Sequence, residues 1–162
     1  MAAKPEDTLI IETSKGRVVV AMRPDLAPKH VARIKELARQ GFYDGVPFHR
    51  VIEGFMAQTG CPQGTGTGSS KYPNLPAEFT PTPFTRGVVG MARSSDPNSA
   101  NSQFFIVFAD ASFLNGKYTV IGEVVSGMDV VDKLKKAPAG SQSGAVTDPD
   151  KMTKVQVAAD IK

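Results

Sequence analysis

Short β-prone segments separated by glycines and prolines are the feature that most restricts how this chain can fold. Its 15 Gly and 12 Pro are spread along 162 residues instead of being gathered into a low-complexity tract. This spacing leaves room for many short strands but interrupts long helices, because Pro and Gly are disfavoured inside both kinds of element. A chain of this length forms one sizeable core, so we predict a single domain over residues 1–162.

The first part of the chain predicts a hairpin followed by a helix. Residues 8–22 read TLIIETSKGRVVVAM, in which two β-branched runs flank the turn-forming Ser14-Lys15-Gly16. A helix is predicted to begin at Pro28 and to end before Gly41, because apolar residues recur there at helical spacing. These residues are Val31, Ile34, Leu37 and Ala38.

The remainder predicts further short strands and one more helix. Residues 60–87 have the composition of a loop, with at most a short strand near Glu78 and Phe79. The second helix is predicted over residues 128–137, which lie between Gly127 and Pro138. Strands are predicted on either side of a bend at Glu53-Gly54, and over residues 87–92, 102–109, 118–125 and 155–160.

The order of these elements indicates a mainly β fold. Strands do not alternate regularly with helices, which argues against a parallel α/β sheet. We therefore predict an antiparallel sheet that closes into a β-barrel, with a helix over each open end.

Charge and composition favour a cytoplasmic protein that binds neither nucleic acid nor a membrane. The net charge is +3 and the sequence pI is near 9.0, yet no run of Lys and Arg is longer than Lys135-Lys136. The N-terminus carries Glu6 and Asp7, lacks the pattern of a signal peptide, and is followed by no apolar run of about 18 residues. We expect a monomer, because nothing suggests a helix seam or a large exposed apolar stripe.

No cofactor or metal is expected. His30 and His49 are the only histidines, and no HExxH or CxxC pattern accompanies them. Cys61 and His49 could suggest a thiol hydrolase, but the sequence has no family signature for one. Gly64 begins a GTGTG run that lacks the spacing of a phosphate-binding loop. We interpret His30 as a surface residue of the first helix.

Three segments carry a more specific pattern. They are FHRVIEGFMAQTG at residues 48–60, GMARSSDPNSANSQFFIVF at 90–108 and FLNGKYTVIGEVVSGMDVVDKL at 113–134. All three resemble the cyclophilins, and the similarity extends from about Thr8 to Ile161. The resemblance implies a closed eight-stranded antiparallel β-barrel capped by two α-helices. It also implies peptidyl-prolyl cis-trans isomerase (rotamase) activity on proline-containing peptides and on unfolded or flexible protein segments, which would assist protein folding.

The resemblance also gives roles to individual residues. Arg50 corresponds to the family's catalytic arginine, and Gln58 and Phe55 are expected to act with it. Ala92 and Arg93 fall where the family binds the substrate backbone that precedes the proline. The other substrate-binding positions that the resemblance implies are Ile52, Met56, Gln103, Phe105, Phe113, Leu114 and Tyr118.

Residue chemistry supports only part of this assignment. A guanidinium can stabilise a twisted prolyl amide, and Arg50 is the one serious candidate for that donor. Strand alternation places Gln103 and Phe105 on one face of the SQFFIVF segment. The bend at Gly54 interrupts the alternation, so the residues alone do not bring Arg50 and Gln58 together. Gln58 and Gln103 could contact substrate or could only orient Arg50.

Three positions depart from the family pattern, and one of them is Tyr118, where many relatives have histidine. Arg93 replaces the usual asparagine at the start of a longer loop, and we expect it to lean toward Asp96; the alternative is a preference for acidic sequences upstream of the proline. Phe113 lacks the indole N–H of the tryptophan found in drug-sensitive relatives, so we expect weak cyclosporin binding. The competing function is a non-catalytic scaffold or chaperone module that binds proline-containing peptides.

Overall fold

We describe the fold from a computed structural model, which covers residues 4–62, 64, 70–138 and 144–160. The chain is mainly β with two helices, and both helices begin where the sequence predicts them. The helices are α1 (Pro28–Arg39) and α2 (Met128–Asp132). The strands are β1 (Thr8–Thr13), β2 (Gly16–Met22), β3 (Val46–Pro47), β4 (Arg50–Ile52), β5 (Met56–Thr59), β6 (Val88–Met91), β7 (Phe104–Val107), β8 (Val120–Ser126) and β9 (Lys151–Val157).

These strands form one curled antiparallel sheet in the order β3-β9-β1-β2-β8-β6-β7-β5-β4. The predicted N-terminal hairpin is confirmed, because β1 pairs with β2 along the whole length of β1, from Thr8↔Ala21 to Thr13↔Gly16. The strands on either side of Glu53-Gly54 are also present, as the antiparallel pair β4 and β5. The prediction of an antiparallel sheet is therefore correct.

The prediction of a closed eight-stranded barrel is wrong. The described residues form nine strands, and the edge strands β3 and β4 are not paired with each other. Residues 144–146 lie against the outer edge of β4 instead. The N–H of Val51 donates to the carbonyl of Gly144 (3.0 Å), the N–H of Val146 donates to the carbonyl of His49 (3.1 Å), and Ala145 forms an isolated bridge with Arg50. This segment occupies the hydrogen-bonding edge that a closing strand would need.

Alternate residues of the same strands supply two hydrophobic clusters on opposite sides of the sheet. The larger cluster lies inside the curl, where β7 contributes Phe104 and Ile106 and α1 buries its predicted apolar stripe. The smaller cluster lies on the outer side and includes Phe105 and Val107. The alternation predicted for the SQFFIVF segment is confirmed, and the outer cluster forms the floor of the site described below.

The second helix is shorter than predicted, since it ends at Asp132 and not near Ala137. The N–H of Ala137 donates to the carbonyl of Val51 on β4 (2.8 Å). A backbone N–H bonded to the sheet is not available to continue a helix, so the chain leaves α2 and runs toward the edge of β4.

The sequence allows a short strand near Glu78, but Glu78 is not part of any strand. Its side chain caps α1 instead. The carboxylate accepts hydrogen bonds from the backbone N–H groups of Lys29 (3.1 Å) and His30 (3.0 Å). These are first-turn donors that a helix cannot satisfy internally, and the positive end of the helix dipole favours the carboxylate. The Glu78 Oε1 atom also lies 2.5 Å from Nδ1 of His30.

His30 is fully buried, which corrects its interpretation as a surface residue. Burial lowers the pKa of His30 below its usual value of 6.5; the carboxylate of Glu78 opposes this effect, and the nearby charge of Arg33 adds to it. The Nε2 atom is buried and has no hydrogen-bond partner among the described residues. Protonation there would bury an unpaired N–H, so the neutral imidazole is favoured in the native state.

Two negative findings apply to the described part of the chain. Neither helix there is long and apolar enough to cross a membrane. No three His, Cys, Asp or Glu side chains there lie close enough together to hold a metal ion.

We predict that the protein becomes less stable as the pH falls below about 6.5. The unfolded chain binds the His30 proton more tightly than the native state does, so the stabilisation is complete above the unfolded pKa and is lost as the pH falls through the lower native pKa. Chemical denaturation at several pH values measures this trend, and an NMR titration of the His30 ring measures the native pKa directly. A native pKa above 6.5 would contradict the assignment.

Candidate active site

A cleft of about 300 Å³ opens on the outer side of the sheet, next to β4, β5 and β7. Its floor is the outer hydrophobic cluster, and its rim carries two arginines. The lining residues are His49, Arg50, Phe55, Met56, Gln58, Gly64, Ala92, Arg93, Phe105, Leu114, Tyr118 and Ala145.

Strand register aligns the centre of the cleft. Arg50 on β4 lies opposite Gln58 on β5, and Gln58 lies opposite Phe105 on β7. Phe105 in turn lies opposite Gly90 on β6. Residues directly opposite each other point to the same face of a sheet, so one row across four strands presents a cation, an amide and an aromatic ring side by side.

Two glutamines hold the guanidinium of Arg50 at the edge of this row. The Arg50 Nη1 atom donates to Oε1 of Gln58 (3.3 Å), and Nε2 of Gln58 donates to Oε1 of Gln103 (2.8 Å). The Gln58 amide accepts from Arg50 and donates to Gln103. The position of the Arg50 side chain therefore depends on β5 and on the segment before β7. The sequence predicts both glutamines, but not their connection in series.

The apolar part of the cleft is a preformed pocket. Met56, Phe105 and Leu114 are buried, and the ring of Phe84 stacks on that of Phe105 with centroids 5.7 Å apart and planes 17° apart. A Cβ atom at Gly90 would lie 2.7 Å from Phe84 and 2.9 Å from Phe105, so the stack requires glycine at that position. Close packing fixes the Phe105 ring as one wall of the pocket.

Arg93 does not lean toward Asp96, and that prediction is wrong. Its Nε and Nη2 atoms donate to the carbonyl of Lys117 (3.0 and 2.8 Å), and Nη1 donates to the carbonyl of Ser94 (2.9 Å). The guanidinium carbon lies 4.6 Å from the centroid of the Tyr118 ring. Backbone carbonyls and a cation–π contact are available closer to the cleft than the carboxylate is, and they hold the side chain there.

Three of the residues predicted for the site do not line the cleft. Gln103 is connected to it through Gln58. Phe113 lies at its margin, with 61% of its surface exposed and its ring centroid 5.5 Å from that of Phe55. Ile52 is half-buried at the end of β4, opposite Met56. The other predicted residues all contribute to the lining.

Sequence reasoning missed His49, Gly64 and Ala145 as lining residues. His49 precedes Arg50 directly, and its ring is buried with neither nitrogen hydrogen-bonded among the described residues. Burial lowers the pKa of His49 and the positive charge of Arg50 lowers it further, while the backbone of Pro47 opposes them by a smaller amount. His49 therefore faces the cleft as a neutral ring. Gly64 and Ala145 belong to irregular segments, for which no periodicity in the sequence gives a signal.

Gly144 packs directly against the stem of Arg50. Its φ is +75°, and a Cβ atom built there would lie 2.9 Å from Cγ of Arg50 and 2.7 Å from Cγ1 of Ile52. The segment that covers the edge of β4 therefore also sets the position of the Arg50 side chain, and it can approach so closely only because residue 144 has no side chain.

The charge carried by the described lining of the cleft is positive. Arg50 and Arg93 are the charged residues among the described lining, and none of that lining is Asp or Glu. The described lining therefore combines an apolar pocket with two cations.

A model of the cyclophilin-type peptidyl-prolyl cis-trans isomerase family matches residues 8–157. A probable peptidyl-prolyl cis-trans isomerase from Brucella suis is 59% identical over an alignment 172 positions long, which covers 99% of this chain and 87% of the relative. A peptidyl-prolyl cis-trans isomerase from Helicobacter pylori is 40% identical over 78% of each chain.

Solved structures show the same similarity. A cyclophilin from Hirschia baltica superposes with a TM-score of 0.89 at 28% identity, covering 100% of this chain and 77% of its own. A cyclophilin-type isomerase from Cryptosporidium parvum, whose crystal structure was determined in the presence of the dipeptide Ala-Pro, superposes with a TM-score of 0.85 at 30% identity over 93% of this chain and 98% of its own.

We predict that Gly144→Ala displaces the Arg50 side chain and destabilises the fold. Alanine at positive φ costs about 1 kcal/mol or more, and the new methyl group would overlap the Arg50 stem. Gly45→Ala is the matched control, because Gly45 has φ +81° and nothing within 4 Å of its Cβ position. A crystal structure of each variant, with denaturation curves, measures both effects. An unmoved Arg50 in Gly144→Ala would contradict the packing argument.

Proposed function

The chain belongs to the cyclophilin-type peptidyl-prolyl cis-trans isomerase family, and on that premise we propose that its cleft accelerates rotation about X-Pro bonds by a non-covalent mechanism centred on Arg50. The observation that carries this proposal is the register row that sets a guanidinium beside a buried apolar pocket. Proline-containing peptides and unfolded protein segments are the substrates that such a cleft fits.

The reaction needs no bond to be broken. Rotation about a peptide bond has a barrier of about 18–20 kcal/mol, because twisting removes the amide resonance, and uncatalysed X-Pro exchange takes tens of seconds or longer. An increase from about 0.05 to about 1,000 per second requires on the order of 6 kcal/mol of selective stabilisation of the twisted state. Positioned dipoles and a dry pocket can supply a stabilisation of that size.

Arg50 supplies the charged donor in this proposal. The prolyl nitrogen regains a lone pair when the amide twists, and a guanidinium that donates to that lone pair stabilises the twisted state more than either planar isomer. Gln58 and Gln103 act as positioning residues, because their hydrogen bonds connect Arg50 to β5 and to the segment before β7. A donor whose direction is already fixed need not reorganise when substrate binds.

The apolar walls contribute by excluding water. Met56, Phe105 and Leu114 enclose the space next to Gln58, and a prolyl ring is apolar enough to occupy it. The planar amide is more dipolar than the twisted one, so it loses more hydration on entering this pocket, which lowers the barrier. Phe55 covers the same pocket from the β4–β5 turn.

The wider setting of this activity rests on the sequence. We propose that the chain works as one domain and as a monomer, in the cytoplasm, where it assists protein folding. The proposed mechanism calls for no metal or cofactor, because no redox chemistry or bond cleavage is involved.

We predict that Arg50→Ala loses at least tenfold in kcat/KM on an Ala-Pro peptide in a protease-coupled assay. The loss should fall mainly on kcat, because the lost hydrogen bond forms chiefly in the twisted state. Arg50→Lys keeps the charge but loses the planar fork that Gln58 holds, and we expect intermediate activity. Circular dichroism should show both variants folded. Activity of folded Arg50→Ala within twofold of wild type would exclude Arg50 as the main donor.

We predict that the unaltered protein binds cyclosporin weakly, because Phe113 offers no indole N–H. Phe113 is largely exposed, so Phe113→Trp can be accommodated and should strengthen inhibition by up to about tenfold, the effect of one added hydrogen bond. Inhibition constants for the two proteins measure the difference. Nanomolar inhibition of the unaltered protein would show that the indole is dispensable.

A further inference from the structure

Arg93 is held rigidly at the rim of the cleft. It follows β6, and its guanidinium donates to the carbonyls of Lys117 and Ser94 while lying over the ring of Tyr118. A long side chain fixed by three contacts has already lost most of its rotamer entropy, so an ion pair formed there costs less than one formed by a mobile surface arginine.

The charge of Arg93 is not neutralised by its partners. Among the described residues, every hydrogen bond that Arg93 makes is to a backbone carbonyl. Four other arginines behave differently, because each bonds a carboxylate; these are Arg17, Arg23, Arg39 and Arg86. Arg93 therefore presents an oriented positive charge to the cleft, whose described lining contains no Asp or Glu.

Arg93 lies within reach of the chain on either side of a bound proline. The Tyr118 ring contacts both the guanidinium of Arg93, at 4.6 Å, and the ring of Phe105, at 5.6 Å. Phe105 forms a wall of the proposed proline pocket. An extended peptide spans about 3.3–3.6 Å per residue, so a side chain up to three residues from the proline can reach Arg93.

We propose that Arg93 is a specificity-determining residue that favours substrates with Asp or Glu two or three residues from the proline. This inference rests on the proposed function, because it concerns the peptide that the same cleft isomerises. A carboxylate there would accept a charge-assisted hydrogen bond from a guanidinium already in position. It would also enter a cleft whose described lining contains Arg50 as a second positive charge and no Asp or Glu. The ion pair is partly exposed, so the preference is modest and salt-dependent.

The test compares peptides that differ only in charge. Ala-Pro peptides carry Glu, Gln or Lys at one of the second or third positions on either side of the proline, and kcat/KM is measured by NMR exchange for each. At the favoured position, Glu should exceed Gln by about two- to fivefold at low salt, and Lys should fall below Gln. The Glu/Gln ratio should approach one in about 0.5 M NaCl.

Variants assign the preference to Arg93. Arg93→Gln should bring the Glu/Gln ratio to about one, whereas Arg86→Gln removes the same charge outside the cleft lining and should leave the ratio unchanged. Each ratio compares two peptides on one variant, so a general loss of activity cancels. If wild type accelerates the Gln peptides but no position favours Glu, or if the preference survives in Arg93→Gln, the specificity role is overturned while the proposed function stands. No acceleration of any peptide would overturn both.

Discussion

The register of β4, β5, β7 and β6 is the constraint on which the rest of the structure depends. It places Arg50, Gln58 and Phe105 in one row on the outer face of the sheet, while Val51 and Ala57, one residue away, point into the core. A slip of one residue would exchange the two faces and would move the apolar core residues into solvent. Packing of the core therefore also holds the cleft in its geometry, and the site needs no separate scaffold.

How much of this could be read from the sequence depends on how local each feature is. The N-terminal hairpin, the start of α1 and the alternation of Phe104 and Phe105 follow from neighbouring residues, and the structure confirms all three. The pairing of Arg50 with Gln58 spans a turn at Gly54, whose φ of +76° interrupts the strand period, so only the family resemblance brought these residues together. Periodicity carries no information across such a turn.

Contacts between distant segments account for what the sequence did not predict. Residues 144–146 cover the edge of β4, where closure of the barrel was expected, and Gly144 packs against the stem of Arg50. Arg93 was expected to find an acid near it in the chain, but Tyr118 and the Lys117 carbonyl are closer in space. In each case the structure brings a partner close that lies far along the chain, and no local pattern in the sequence marks that partner. Both contacts act on the cleft, where they control the position of its two cations.

The central claim is that this cleft catalyses rotation and does not merely bind proline. Two-dimensional exchange NMR on an isotopically labelled Ala-Pro peptide, with the wild-type protein at a small fraction of the peptide concentration, measures binding and cis-trans exchange in one sample. Our account predicts exchange cross-peaks between the cis and trans resonances within a mixing time of less than a second, in which the uncatalysed reaction is negligible. Shifts that report binding without exchange cross-peaks would contradict it and would make the protein a proline-binding module.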